Sequence, residues 1–205
     1  MSEPPYWDEA TAYLSRRDAV MAGLIVRYPE RLRRQGDSFR TLVRTIVGQQ
    51  ISIKAADRVW GRLEALLGTV TPTALLAQDE AGMRQAGLSR SKVRYLCQLA
   101  HYYLDRDITD AYWQGRPLTD IRRELLQLTG IGPWTVEMFA IFHLHEPDVF
   151  SPGDIGLQKA VGRLYFEKPL LPRDELAAFS RRWQPFRTVA AWYLWRHLDP
   201  EPVCY

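Results

Sequence analysis

Leu128-Thr129-Gly130-Ile131-Gly132-Pro133-Trp134-Thr135 sets two glycines two residues apart between the amphipathic stretches DIRRELLQL and TVEMFAIFHL. That spacing suits an anion. Without Cβ atoms the backbone at Gly130 and Gly132 can approach a phosphate closely, and the start of the second helix offers free N–H groups and the positive end of its dipole. The same glycines would also serve a tight turn that needs positive φ, so the turn alone leaves both readings open. Further along, Asp148-Val149-Phe150-Ser151-Pro152-Gly153-Asp154 carries two carboxylates. Asp154, after Pro-Gly and before IGLQKAVGRL, has the pattern of a helix N-cap.

The elements that must position these residues read as helices. Apolar residues recur at three and four, cap residues stand at the breaks, and no segment alternates convincingly like a strand. Ser52 opens a run whose apolar face is Ala56, Val59, Trp60, Leu63, Leu66 and Leu67, stopped by Gly68. Thr71-Pro72, Asp79, Ser89 and Thr119 each stand as a cap before another periodic stretch. Prolines punctuate the last third, where helices are expected at about 154–164, 173–183 and 185–198. Trp60, Trp113 and Trp192 have the spacing of core residues. The fold class is all-α, many short helices packed at steep angles.

Composition narrows the chemistry. The chain has 205 residues, 46% of them hydrophobic and 25% charged, enough for a real core and far from disordered composition. Its 27 basic and 24 acidic residues give a net charge of +3, too small to imply a polyanion partner by itself. The basic set is mostly arginine, whose planar fork suits phosphates and base edges, although a GC-rich genome would produce the same bias. Cys97 and Cys204 are too few for a disulfide framework, a four-cysteine zinc site or a cysteine-ligated iron–sulfur cluster. No secretory signal and no stretch of about 20 apolar residues is present, so a cytoplasmic location is expected, at the nucleoid in a bacterium, with no membrane partner.

Several motifs in one order make a more specific pattern. Ile46-Val47-Gly48-Gln49-Gln50-Ile51-Ser52, the Gly130/Gly132 hairpin, the segment ending in Asp154, Trp183-Gln184-Pro185-Phe186-Arg187 and Trp195 follow one another. In this the chain resembles the helix-hairpin-helix DNA glycosylases, over roughly residues 38 to 198, and most closely the 3-methyladenine DNA glycosylase II branch. The resemblance implies a two-lobed helical fold. Residues 38–150 would form the lobe with wedge loop and hairpin, and 1–37 with 151–205 the second, the active site in the cleft between. With only about 37 residues before the Ser38 helix, a compact form without the N-terminal β-domain of some relatives is expected.

The resemblance also implies roles. Asp154 matches the catalytic carboxylate, which would stabilise positive charge developing on the sugar and orient or deprotonate water; capping and catalysis are compatible, since a carboxylate at a helix N-terminus stays ionised. Asp148 fits a structural hydrogen-bonding role better. Bifunctional members carry a nucleophilic lysine where this chain has Trp134, so a monofunctional enzyme that leaves an abasic site is implied. Gln49, Gln50 and Ile51 match the wedge that fills the gap of a flipped base, Gln50 at its tip; the alternative is Gln49 as a cap and Ile51 as core. Trp134 and Trp195 match aromatic pocket positions, where an indole attracts a cationic alkylated purine. Met138 stands where a relative often has tyrosine, and Phe142, one turn on, would compensate.

Gly130, Gly132, Trp134, Thr135 and Arg187 would meet the DNA backbone, with Arg40, Arg44, Lys54, Arg58, Arg90 and Lys92 as further electrostatic contributors. The carbonyls of Leu126, Leu128 and Ile131 are those a monovalent hairpin cation would use, although carbonyl ligation leaves no mark in a sequence. No cofactor is required, and an iron–sulfur cluster is not expected. The expected partner is double-stranded DNA containing alkylated bases, met by a monomer. Two alternatives stay open: a glycosylase for deaminated or oxidised bases, and a non-catalytic helix-hairpin-helix DNA-binding module.

Overall fold

The structure, a computed structural model, describes residues 3–199. Their helices run α1 Trp7–Arg17, α2 Ala19–Arg27, α3 Ser38–Gly48, α4 Ile53–Leu67, α5 Pro72–Leu76, α6 Glu80–Gln85 and α7 Arg90–Asp105. Then come α8 Asp110–Trp113, α9 Leu118–Leu125, α10 Pro133–Phe139, α11 Ile155–Tyr165, α12 Arg173–Ser180 and α13 Arg187–Leu198. Among the described residues there is no strand, as the 3–4 periodicity predicts, and no helix long and apolar enough to cross a membrane. The described residues divide into two compact units, one from Gln35 to Phe139, the other combining residues 3–34 with 140–199. The change-over falls where α10 loosens into a π-turn at Ala140–Leu144, earlier than the boundary at 150 that the motif order suggested.

The Gln35–Phe139 unit is built around α3. Phe39, Leu42, Val43, Ile46 and Val47 are buried on it, and α4, α7 and α10 pack against it. The caps are local chemistry. Ser52 accepts from the Ala55 amide at 3.3 Å, Thr71 from Ala74 at 3.1 Å, Asp79 from Gly82 at 2.7 Å and Ser89 from Lys92 at 3.2 Å. Gly68 ends α4 at φ +69, the left-handed conformation that glycine adopts without steric cost. Two expectations fail here. Leu66 lies on the exposed side of α4 rather than on its buried face. Thr119 is inside α9, not its cap, because the Pro117 carbonyl already receives the Asp120 and Ile121 amides at 3.0 and 3.2 Å.

In the other unit α13 is buried almost all round, and α1, α2 and α11 pack on it. The Trp7 ring meets Trp192 edge-on at 5.4 Å and Tyr193 at 5.8 Å. A buried carboxylate ties the unit together. Asp18 Oδ1 accepts the Val20 and Met21 amides at 3.0 and 3.1 Å, and its Oδ2 accepts the Tyr165 hydroxyl and the Trp183 indole N–H, both at 3.0 Å. Four donors offset the desolvation of that charge. Helix α12 ends at Ser180 and tightens into a 3₁₀ turn at Arg181–Trp183, so the segment expected as one helix over 173–183 is two elements. Trp60, Trp113 and Trp192 are buried, as their spacing predicts.

Candidate active site

The hairpin joins α9 to α10, and its two glycines answer different needs. Gly130 sits at φ +87 with the Tyr95 ring so close that a Cβ would fall 2.2 Å from a ring carbon. It is therefore required by the turn and by its packing. Around Gly132 a Cβ would meet nothing within 4 Å, so open space lies there for a ligand. The turn reading therefore holds at Gly130, while Gly132 leaves the space that the phosphate reading requires. Thr135 is buried at the first turn of α10, and Trp134 beside it is half-buried.

The Gln49-Gln50-Ile51 loop leaves the end of α3 and is tied to this hairpin. Gln49 Nε2 donates to the Gly130 carbonyl at 2.8 Å and to Thr135 Oγ1 at 2.9 Å. Gln49 is thus a strut between loop and hairpin, while Gln50 and Ile51 are exposed. Gln50 is held at φ +59, a region that L residues enter at a cost of about 1–2 kcal/mol.

In the other unit Asp154 caps α11, its Oδ1 accepting the Leu157 amide at 2.9 Å. The same oxygen accepts the Trp195 indole N–H at 3.0 Å, from α13. Trp195, half-buried, stacks on the buried Phe142 ring at a centroid distance of 5.8 Å with 23° between the planes. Gly156 keeps this corner possible, since a Cβ there would lie 2.9 Å from Asp154 Oδ1 and 3.3 Å from Trp195 Cδ1. Asp148 does something else. Its carboxylate accepts from Arg187 Nε at 2.6 Å and Nη2 at 2.9 Å, a two-pronged charge pair at the start of α13.

The residues predicted to bind base or phosphate are therefore placed unevenly. Phe142 and Trp195 are brought together, whereas Met138 is buried on α10 at 1% exposure and supports the interior of its own unit. Phe142, at 2% exposure, backs Trp195 rather than presenting its own face. Arg187 is engaged with Asp148. Arg40 pairs with Glu64 at 2.6 Å, Arg44 is buried against Asp57 and over the Trp60 ring, and Lys92 is bound to backbone carbonyls. Lys54 and Arg58 remain exposed on α4. Among the described residues no group of three or more His, Cys, Asp and Glu could hold a metal.

Three contributors escaped the sequence reading: Gly156, Tyr95, and Lys92 in the role it has. A glycine in the first turn of a helix, where alanine would be favoured by about 0.5–1 kcal/mol, is a signal that could have marked Gly156. Nothing in the sequence marks Tyr95, because its partner is Gly130, which only the fold brings to it.

Comparison with known proteins identifies the family. The pattern of the HhH-GPD superfamily of base excision DNA repair proteins matches residues 43–185. DNA-3-methyladenine glycosylase 1 of Schizosaccharomyces pombe is 29% identical over 172 residues, covering 82% of this chain and 75% of that protein. A probable bifunctional transcriptional activator/DNA repair enzyme AlkA of Mycobacterium tuberculosis is 31% identical over 183 residues, 83% of this chain but only 35% of the longer relative. Among solved structures, the S. pombe 3-methyladenine DNA glycosylase in complex with abasic DNA superposes with a TM-score of 0.84 at 28% identity, covering 92% of this chain and 95% of that one. A DNA-3-methyladenine glycosidase of Bacillus halodurans gives 0.71 at 32% identity, over 91% and 87%. By its hairpin, its helical fold and its match over most of its length, the chain belongs to the HhH-GPD superfamily of base excision DNA repair proteins.

Proposed function

We propose that this protein is a monofunctional DNA glycosylase that excises alkylated purines of the 3-methyladenine and 7-methylguanine type from duplex DNA, leaving an abasic site. One observation carries the reading: a carboxylate, Asp154, is held by the Leu157 amide and by the indole N–H of Trp195, whose ring is itself stacked on Phe142. A carboxylate is thereby fixed beside an electron-rich ring. Alkylation at N3 or N7 makes the purine cationic, so when the bond from the sugar C1′ to the base nitrogen breaks, both bonding electrons leave with a base that departs neutral. No general acid is needed. Positive charge remains on the sugar, where a carboxylate about 4 Å away at an effective dielectric near 20 contributes roughly 4 kcal/mol, about three decades of rate. Water then adds to C1′, and Asp154 orients it and takes its proton.

Similarity to the S. pombe glycosylase in complex with abasic DNA supports DNA as partner; in this reading the partner is a duplex, the Gly130–Thr135 hairpin meets its backbone, and Gln50 and Ile51 form the wedge. Trp134 in place of a hairpin lysine supports base release without strand cleavage. The carbonyls of Leu126, Leu128 and Ile131 suit a monovalent cation, being neutral oxygen donors, and such an ion would brace the hairpin against phosphate. We take the acting form to be a monomer. The test is chromatographic: duplex DNA treated with a methylating agent releases 3-methyladenine and 7-methylguanine with the wild type and not with Asp154→Asn, the products remaining uncut until alkali. Failure of the wild type to release either base sinks the proposal; release with spontaneous strand cleavage sinks its monofunctional part.

A further inference from the structure

We infer that Lys92 is a positioning residue that locks the Gln50–Ile51 loop to the hairpin, so that the two DNA-contacting parts of the Gln35–Phe139 unit act as one preformed piece. The inference rests on the proposed function for its lesion, but not for its geometry. Lys92 Nζ donates to the Val47 carbonyl at 2.7 Å and to the Gln49 carbonyl at 2.8 Å. These lie at the end of α3, where carbonyls lack helical partners and a cation is favoured. From Gln49 the chain of contacts continues through Nε2 to Gly130 and Thr135 of the hairpin. One turn along α7 from Lys92, Tyr95 packs under Gly130. A single helix therefore fixes both ends of the strut.

This arrangement exceeds what stability of α3 asks for, since that helix is already buried along nearly its whole length. What needs holding is the tip. Gln50 is strained at φ +59, and Ile51 beside it is 40% exposed. Strained conformations persist only where their surroundings over-determine them. A side chain that enters a base stack must push against an unstacking cost of a few kcal/mol, and a loop free to relax would yield instead of the DNA. Lys92 is half-buried with its Nζ turned to the two carbonyls, and that burial lowers its pKa.

The experiment uses the full chain and a duplex carrying 2-aminopurine opposite a stable abasic-site analogue, whose fluorescence rises when the protein unstacks it. Wild type raises the signal; Lys92→Met loses most of the rise, Lys92→Arg keeps it, and affinity for undamaged duplex changes by less than about two-fold. In parallel, excision of 7-methylguanine falls about ten-fold when the lesion is paired and much less when it is mispaired, because a mispaired base needs less help to leave the stack. A Lys92→Met protein with the wild-type fluorescence rise, equal losses on paired and mispaired lesions, or a wild type that gives no rise overturns the inference. Should Lys92→Met not melt as a folded protein, Lys92→Gln, which removes the ammonium but leaves a polar side chain, carries the same comparison. If the wild type raises fluorescence and the variant does not, yet neither excises a base, the proposed glycosylase activity falls and the positioning role stands.

Discussion

The hairpin corner and the Asp154 corner are assembled by opposite means. Around the hairpin almost every contact ends on a backbone carbonyl: Gly130 receives Gln49, and Val47 and Gln49 receive Lys92, from segments 81, 45 and 43 residues apart in sequence. Around Asp154 the contacts end on a charge, through one amide three residues away and one indole 41 residues away. The first corner presents backbone shape, the second places a carboxylate. Changes in backbone space should therefore damage one, and changes in charge or its donors the other.

The hardest test of that contrast is Asp154→Asn, which keeps the shape and removes the charge. Excision should fall by about three decades while melting temperature and duplex affinity hold; a loss of DNA binding of similar size would erase the distinction between the corners. Next comes Gly130→Ala, which forces a Cβ into the Tyr95 ring at positive φ and should cost about 3 kcal/mol in chemical denaturation. Gly132→Ala sharpens the same point, because it should leave stability unchanged and weaken duplex binding.

Gly156→Ala pushes the carboxylate and the Trp195 ring apart, and single-turnover excision should drop about ten- to hundred-fold with little change in affinity. Trp195→Phe keeps an aromatic face but removes the donor, for a loss of about ten-fold or less. The last test is electrostatic and remote. Burial lowers the His145 pKa from 6.5 to about 4. The unfolded chain then binds the extra proton first, so His145 contributes stability that is present above pH 6.5 and lost as pH falls toward 4. Glu146, its pKa raised by burial, acts in the opposite sense, so the wild-type profile mixes the two. His145→Asn isolates one, since asparagine accepts the positive φ of this position, and the melting temperature of the variant should decline less between pH 6.5 and 4.

Much of this was legible without coordinates wherever the cause is local. Ser52, Asp79, Ser89 and Asp154 cap helices because a side-chain oxygen meets an amide three residues on, a contact that spacing alone specifies. Thr119 misled because proline at 117 offered a competing start. The cations were hardest to read. Lys92, Arg44 and Arg187 stood near the right motifs as phosphate contacts, yet each is engaged inside the fold, since a charge finds its nearest partner in space rather than in sequence.

The helical class, most of the helix starts, the hairpin turn and the cap at Asp154 can be read from the chain alone, because all of these depend on residues within a turn of one another. That Trp195 holds Asp154, that Gly156 must lack a side chain, that Tyr95 lies under Gly130 and that Gln49 and Lys92 brace the loop emerges only from the packed fold. Those contacts join helices far apart in the chain, and their distances follow from how buried faces pack, which no local spacing encodes.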